Sequence, residues 1–543
     1  MAVDAQERAP PSAPNFGIMG GMKQIVTATA AFERMREKDV VYVDKTAYFY
    51  QLLQRDPDTV FFIARPRRFG KSLMINTLTT LLQGKRDYFR GLAIDGTDYD
   101  WGRHKVIRLR MTDACAATPE GVRAALQTVV ALAARELGLP HDPSIAPEMN
   151  FLEMLSALPS TSETGRFAVL VDEYDAPLNA FIDEPEKFRA VQQVLHDFYV
   201  KMKDHQDNMR FVMVTGVTKL AKMSIFSGFN NPTDLTLNAD FAGMLGYTHD
   251  EVERYFHEQV QAFADKEGVS YEAMKARLFA WYDSYRFSPE SDVKVVNPFS
   301  FGSALNDRML SNYWEKSGNS GAILKRIREL SEMPADFNGA TVTRMDLDSP
   351  NPATEPLEVL MCHSGYLTID GTDEDGDIVL RIPNAEIGDS INEGYVAYCL
   401  GRRAAPFRKT AKATARAILA KGIASVGAAL RAAFAMIPYE WICRDEAEAK
   451  RYFLLFCRFM QADISGERQS ARGRADAVLK TPQAVYVFEF KHGKSAAEAV
   501  RQARTKDYGG PDAASGRPVY YVGVNYNPET RTIDEPLVEP LEP

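Results

Sequence analysis

The sequence predicts an α/β protein with a largely parallel sheet in its amino-terminal half, a mostly helical middle and a smaller α/β segment at its carboxyl end. Three observations carry this expectation. Apolar runs at Val60–Ile63, Phe167–Val171 and Phe211–Val214 end in polar loops and alternate with helical patterns, the signature of a parallel sheet. A second set of strand-like runs, Ala475–Leu479, Val485–Phe490 and Val519–Val524, follows a helical pattern late in the chain. Finally, 543 residues, 45% apolar and 25% charged, are enough for several buried cores.

In chain order, residues 1–21 form a Pro- and Ala-rich leader expected to be disordered. The parallel-sheet domain is expected over 22–240, and a helical and mixed region over 241–400 includes the short strand Tyr366–Ile369. Residues 401–444 read as a basic helical linker, with eight Lys/Arg and no Asp/Glu between Gly401 and Arg431. Such a helix can follow a nucleic-acid backbone or simply be a solvated amphipathic linker. The second α/β domain is expected over 445–530, followed by a tail over 531–543.

The net charge of −9 gives no support to nucleic-acid binding, but that depends on local basic surface rather than on the total. Five cysteines without a CxxC pair argue against a disulfide framework or a zinc site and for a reducing, cytoplasmic setting. No run of about 18 apolar residues predicts a membrane span.

The first chemical motif is Arg65-Pro66-Arg67-Arg68-Phe69-Gly70-Lys71-Ser72, lying between a strand and a helix. Arg65 stands where the phosphate-loop pattern GxxxxGK(S/T) has its first glycine, while Gly70, Lys71 and Ser72 are intact. Gly70 lets backbone approach phosphate, Lys71 neutralises it, Ser72 can hold Mg²⁺, and a helix start supplies free N–H groups. The strand Phe167–Val171 then runs into Asp172-Glu173, the Walker B arrangement. There Asp172 would bind Mg²⁺ and Glu173 would activate the attacking water. Thr215 ends the next strand and fits either a γ-phosphate sensor or a buried strand cap. The expected nucleotide set is Arg65, Arg68, Gly70, Lys71, Ser72, Asp172 and Thr215, with ATP and Mg²⁺ as cofactors.

The second motif lies near the carboxyl end. Asp476 is followed thirteen residues later by Glu489-Phe490-Lys491. Strand alternation places Glu489 and Lys491 on one face, and hairpin pairing would let Asp476 meet them. Asp476 and Glu489 could hold Mg²⁺ while Lys491 orients or deprotonates a water, the minimum of a PD-(D/E)xK nuclease site. The flanking Val485–Phe488 is apolar, and charges on a strand built for burial need a partner or a metal. Glu448, Glu467 and Gln502 are further candidates, each equally readable as a surface residue.

The chain resembles a prokaryotic family that pairs an AAA-ATPase-like domain with a PD-(D/E)xK nuclease domain. The resemblance runs through Tyr42–Thr46, the RPRRFGKSL motif at Arg65–Leu73, Val171–Asp175, Thr215–Val217 and Ser224–Asn231. It continues through Trp281–Phe287, Asn297–Ser300, Ser364–Thr368 and Ile382–Asn384 to Gly473–Asp476, Phe488–Lys491 and Gln502. It implies a P-loop NTPase-like fold, a restriction-endonuclease-like carboxyl domain, and arginine as the family residue at position 65. Ser284 departs from it, standing where the family has glycine. The resulting expectation is an ATP-regulated, Mg²⁺-dependent nuclease acting on nucleic acid, DNA before RNA, with self-assembly compatible with this kind of ATPase. The alternative is a nucleotide-switched binding protein with an inactive nuclease fold.

Overall fold

The computed structural model describes residues 22–27, 29–55, 59–161, 166–182, 184–219, 232–314, 337–348, 356–400, 409–413, 416, 422–435, 445–459, 463–470, 473–510 and 516–541. The leader and most of the basic stretch 401–421 lie outside them, as does Ser224–Asn231. The chain divides into two compact units, one of Met1–Tyr313 with Thr341–Asn384, the other of Trp314–Ala340 with Ala385–Pro543. Residues 241–313 and 341–384 therefore belong with the amino-terminal segment.

The first unit is built on five parallel strands: β1 (Val60–Ala64), β2 (Lys105–Arg110), β3 (Phe167–Asp172), β4 (Met209–Gly216) and β5 (Thr233–Asp234). Their order across the sheet is β2-β3-β4-β1-β5. Every residue of β1 and β3 is buried, which explains their unbroken apolar sequence, since a parallel sheet is covered on both faces. Helices Pro119–Leu137, Pro147–Thr161 and Pro185–Tyr199 join the core cluster formed with alternate side chains of these strands. Helix α1 (Lys71–Leu82) packs against β2 and β3.

A second core in this unit gathers helices His249–Glu267, Tyr271–Tyr282 and Pro298–Asp307 around Val41 and Val43. Beside it lies a small antiparallel sheet of β6 (Tyr247–Thr248), β7 (Tyr285–Arg286) and β8 (Lys294–Val296). Another joins β9 (Ala340–Val342), β10 (Thr368–Thr372) and β11 (Ile378–Arg381). The strand expected at Tyr366–Ile369 thus starts two residues later, because Tyr366 and Leu367 close the preceding helix with bonds to Met361.

The second unit is a mixed sheet: β12 (Asp463–Ser470), β13 (Gly473–Lys480), β14 (Val485–His492), β15 (Val519–Asn527) and β16 (Thr532–Ile533), with β17 (Leu537–Pro540) also on β15. Helix α2 (Glu446–Phe459) precedes it. The β13–β14 pair is antiparallel, as the hairpin expectation required. The pair β14–β15 is parallel, so the chain crosses through helix α3 (Ala496–Thr505), capped by the Ser495 side chain. Strand β12, with the polar sequence Asp-Ile-Ser-Gly-Glu-Arg-Gln-Ser, shows no apolar alternation and was not among the expected strands. The expected tail contributes β16 and β17.

Candidate functional sites

At the carboxyl end of the parallel sheet, β3, β4 and β1 lie side by side, so the residues that end them share one crevice. The register Ile63↔Thr215 and Val171↔Val214 sets Thr215 beside both the phosphate loop and Asp172. Its hydroxyl donates to Asp172 Oδ1 at 2.9 Å and accepts the Glu173 amide at 3.2 Å. Of the two roles open to Thr215, the strand-end cap is therefore filled.

The phosphate loop is a tight turn. Arg68 and Gly70 have φ of +70° and +97°, and Glu173 facing it has +56°. Three left-handed residues mark a backbone held against its preference, as functional turns are. Gly70 is the one for which this conformation costs little. The first intrahelical bond of α1 is from Met74 N to Gly70 O, leaving the amides before it for a ligand. Lys71 is buried and donates to the carbonyls of Arg65 and Pro66 at 2.8 and 2.9 Å. Burial lowers its pKa, opposed by the negative field of Glu173, Asp175 and Asp172. Burial likewise raises that of Glu173, opposed by Lys71. Ser72 is half-buried at the helix start.

Of the two expected arginines, Arg65 is placed differently from expectation. Arg65 is turned into the interior: Nη1 donates to Ala64 O and Thr236 O, and the guanidinium lies 4.3 Å from the centre of the Phe287 ring. Its contribution to the loop is its main-chain carbonyl. Arg68 is exposed and lies 4.3 Å over the Phe299 ring. The arginine whose charge reaches Lys71 and Glu173 is Arg67, which is not in the expected nucleotide set. Asp175 was also missed. Its fully buried carboxylate accepts the amides of Val217 and Thr218 and the Thr218 hydroxyl, fixing the chain that leaves β4.

In the second unit, the register Ala477↔Phe488 carries Asp476 to the level of Glu489, and Asp476 Oδ2 accepts the Phe490 amide at 2.8 Å. Lys491 donates to Glu446 Oε1 at 2.9 Å, Glu489 Oε1 at 3.0 Å and Phe490 O at 2.7 Å. Gln502, from α3, donates to the same Glu489 oxygen. Glu489 Oε2 is buried and has no hydrogen-bond partner among the described residues. Ligand oxygens of Glu446, Asp476 and Glu489 lie within 4.8 Å of one another. Burial, then the Asp476 charge, push Glu489 up to about 7, and burial also raises Asp476. Lys491 stays raised because bonds to Glu446 and Glu489 outweigh its burial.

This donor set fits a hard divalent cation: three carboxylates converge, one presents an unused buried oxygen, and no sulfur or imidazole belongs to the cluster. The third carboxylate is Glu446 rather than the expected candidates Glu448 and Glu467. Residues two apart on a helix point to nearly opposite faces, so only one of Glu446 and Glu448 could reach the sheet. The side chain of Glu467 is outside the described residues. Lys450, one turn on from Glu446, was also missed; its Nζ is 3.8 Å from Asp476 Oδ1. Gly523 pairs with Glu489 in β14–β15, and a Cβ there would stand 2.1 Å from Ala496 O. Glycine at 523 thus lets α3 lie close enough to deliver Gln502.

Residues 27–226 match the family described as predicted AAA-ATPase, and residues 444–536 match the PD-(D/E)XK nuclease superfamily. The chain thus carries an AAA-ATPase-like segment and a carboxyl-terminal PD-(D/E)XK nuclease superfamily segment. An uncharacterized protein in the vnfD 5′ region of Azotobacter chroococcum mcd 1 is 28% identical over 533 residues, 96% of this chain and 99% of that one. Among solved structures, Drosophila ORC bound to AT-rich DNA and Cdc6 aligns at 14% identity and a TM-score of 0.25, over 55% of this chain and 42% of that chain. Drosophila ORC bound to GC-rich DNA and Cdc6 aligns at 13% and 0.27, over 79% and 62%. The alignments span less than two thirds of those chains, and likeness of this degree says nothing about activity. No helix among the described residues is long and apolar enough to cross a membrane.

Proposed function

We propose that this protein is a nucleotide-regulated, Mg²⁺-dependent nuclease that cleaves phosphodiester bonds of nucleic acid, DNA before RNA, in the cytoplasm. The observation that carries the reading is the convergence of Glu446, Asp476 and Glu489 around an unpartnered carboxylate oxygen, with Lys491 bonded into the same cluster. A divalent cation bound by these carboxylates would supply Lewis-acid stabilisation of charge on the phosphate. The chain's own residues do the rest. Gln502 fixes the rotamer of Glu489, the Phe490 amide fixes that of Asp476, and Lys491 presents an ammonium that can orient the attacking water or steady the developing negative charge.

In the other unit, Lys71 and the amides opening α1 would receive the ATP phosphates. Ser72 and Asp172 would serve Mg²⁺, and Glu173 would take the proton of the attacking water. Arg67, whose charge acts on Lys71 and Glu173, would meet added negative charge there in place of the inward-turned Arg65.

The test uses labelled linear, circular and single-stranded DNA and RNA with Mg²⁺ or Mn²⁺, with and without ATP, beside Asp476→Ala and Lys491→Ala. Cleavage lost in both variants supports the nuclease, and its change with ATP supports nucleotide control. Intact substrate under every condition removes the nuclease reading and leaves the nucleotide-switched binding protein.

A further inference from the structure

Among the described residues, two ammoniums stand against the acidic cluster of the second unit. Lys491 pairs with Glu446 and Glu489, and Lys450 Nζ lies 3.8 Å from Asp476 Oδ1. Glu446 and Lys450 are four residues apart on α2, so one helix face delivers both an acid and an ammonium to the same place. The Lys450 and Asp476 side chains are 13% and 19% exposed, which leaves their attraction little screened by salt. At 3.8 Å the contact is an ion pair and too long for a hydrogen bond, so Lys450 acts on Asp476 as a charge. Burial raises Asp476, and the Phe490 amide and the Lys450 charge oppose that rise.

The charges decide how many cations the cluster can take. With Glu446, Asp476 and Glu489 ionised there are three negative charges, and Lys450 and Lys491 supply two positive ones, so these five groups carry a net single negative charge. One divalent cation turns that balance to a single positive charge, which the negative charge of one phosphodiester neutralises. A second divalent cation would enter against a centre already positive, in a partly buried site where such repulsion is strong. Seating it against Asp476 would also mean expelling Lys450, since Oδ2 accepts the Phe490 amide and Oδ1 faces the ammonium.

We infer that Lys450 is the resident cation of this centre: it holds the cluster to one divalent ion and remains beside it to meet the phosphate of the substrate. The inference rests on the nuclease reading and adds to it the number of ions and a second positive group for the phosphate. A purely structural Lys450 would stabilise the fold without changing what the carboxylates bind.

The experiment is titration of the full, nucleotide-free chain with Mn²⁺ at pH 8, read by the electron paramagnetic resonance of the free ion, with Asp476→Ala defining uptake elsewhere in the chain. Lys450→Met removes the ammonium and keeps an apolar chain of similar length, whereas Lys450→Arg keeps the charge. The wild type is expected to bind one ion beyond the Asp476→Ala level. Lys450→Met is expected to bind that ion at least tenfold tighter, and Lys450→Arg to behave as the wild type. Two ions in the wild type overturn the inference without reference to any variant of Lys450. Unchanged affinity in Lys450→Met, or a Lys450→Arg protein that follows Lys450→Met, overturns it while leaving the metal centre in place. Wild-type uptake no greater than that of Asp476→Ala removes the centre itself, and the inference with it.

Discussion

Replacing Glu489 with glutamine removes a charge that its surroundings disfavour while keeping an acceptor for Lys491 and Gln502. The carboxyl is 3% exposed, and burial together with Asp476 raises it from 4.5 to about 7. Because its value is higher in the folded state, its contribution to stability is fully present below about pH 4.5. That contribution is lost as pH rises through about 7. Each pH unit corresponds to about 1.4 kcal/mol, so the loss by pH 8 is on the order of 3 kcal/mol. In metal-free solution the wild-type carboxyl-terminal unit should therefore weaken between pH 5 and 8, and Glu489→Gln should lack that part of the slope. Mg²⁺ binds the ionised cluster, so at a hundredfold excess over Kd it should return about 2.7 kcal/mol at pH 8. It should return less at pH 5.5, where protons compete. Urea unfolding at both pH values, with Mg²⁺ or a chelator, measures all four terms. Equal Mg²⁺ stabilisation at the two pH values, or Mg²⁺ stabilisation unchanged in Glu489→Gln, would refute the placement of Glu489 in a metal site.

Further substitutions probe other links. Glu173→Gln should leave ATP binding within a few-fold by calorimetry but slow phosphate release by roughly 10²–10⁴, the usual worth of a positioned base; unchanged turnover would remove Glu173 from the chemistry. Ser284 has φ of +77°, so Ser284→Gly should stabilise the first unit by about 1 kcal/mol in thermal melts, and a lowered melting temperature would contradict the strain. Gly523→Ala places a methyl 2.1 Å from Ala496 O and should cost the second unit about 2 kcal/mol or more, with weaker Mg²⁺ stabilisation because α3 moves Gln502 away; an unaltered melt would show that the helix yields freely.

What could be read from the sequence was governed by periodicity and by charge on apolar strands. Strands β1, β3, β14 and β15 were legible because they are buried almost throughout and their residues are predominantly apolar. Asp476, Glu489 and Lys491 were legible because charges on such strands demand an explanation, and the structure does bring them together. Strand β12 was not, since its edge position asks for no apolar alternation. Glu446 was missed because the choice between two nearby helical acids depends on rotational phase, which only the packed helix fixes. Arg65 was misassigned for a related reason: in a loop, position in a motif does not set direction. Arg65 turns inward and Arg67 outward, and no periodicity distinguishes them. Ser284 shows the reverse case: it stands where the resembling family has glycine, and its backbone is left-handed.

The two sites treat their lysines differently, and the difference bears on what each ammonium can do. An ammonium has three donors. Lys71 gives two of them to the Arg65 and Pro66 carbonyls, which leaves one for a phosphate without breaking anything. Lys491 gives all three, to Glu446, Glu489 and the Phe490 carbonyl. It can act on a water only if one partner lets go. Phe490 O belongs to the strand, and Glu489 is held by Gln502, but the Glu446 side chain is 41% exposed and enters from a separate helix. Glu446 is thus the partner most readily surrendered, and the same carboxylate is the third member of the cation cluster. If Glu446 turned Oε1 from Lys491 to a cation, one N–H of Lys491 would be freed in the same movement, so in the proposed nuclease filling the acidic cluster would also arm Lys491.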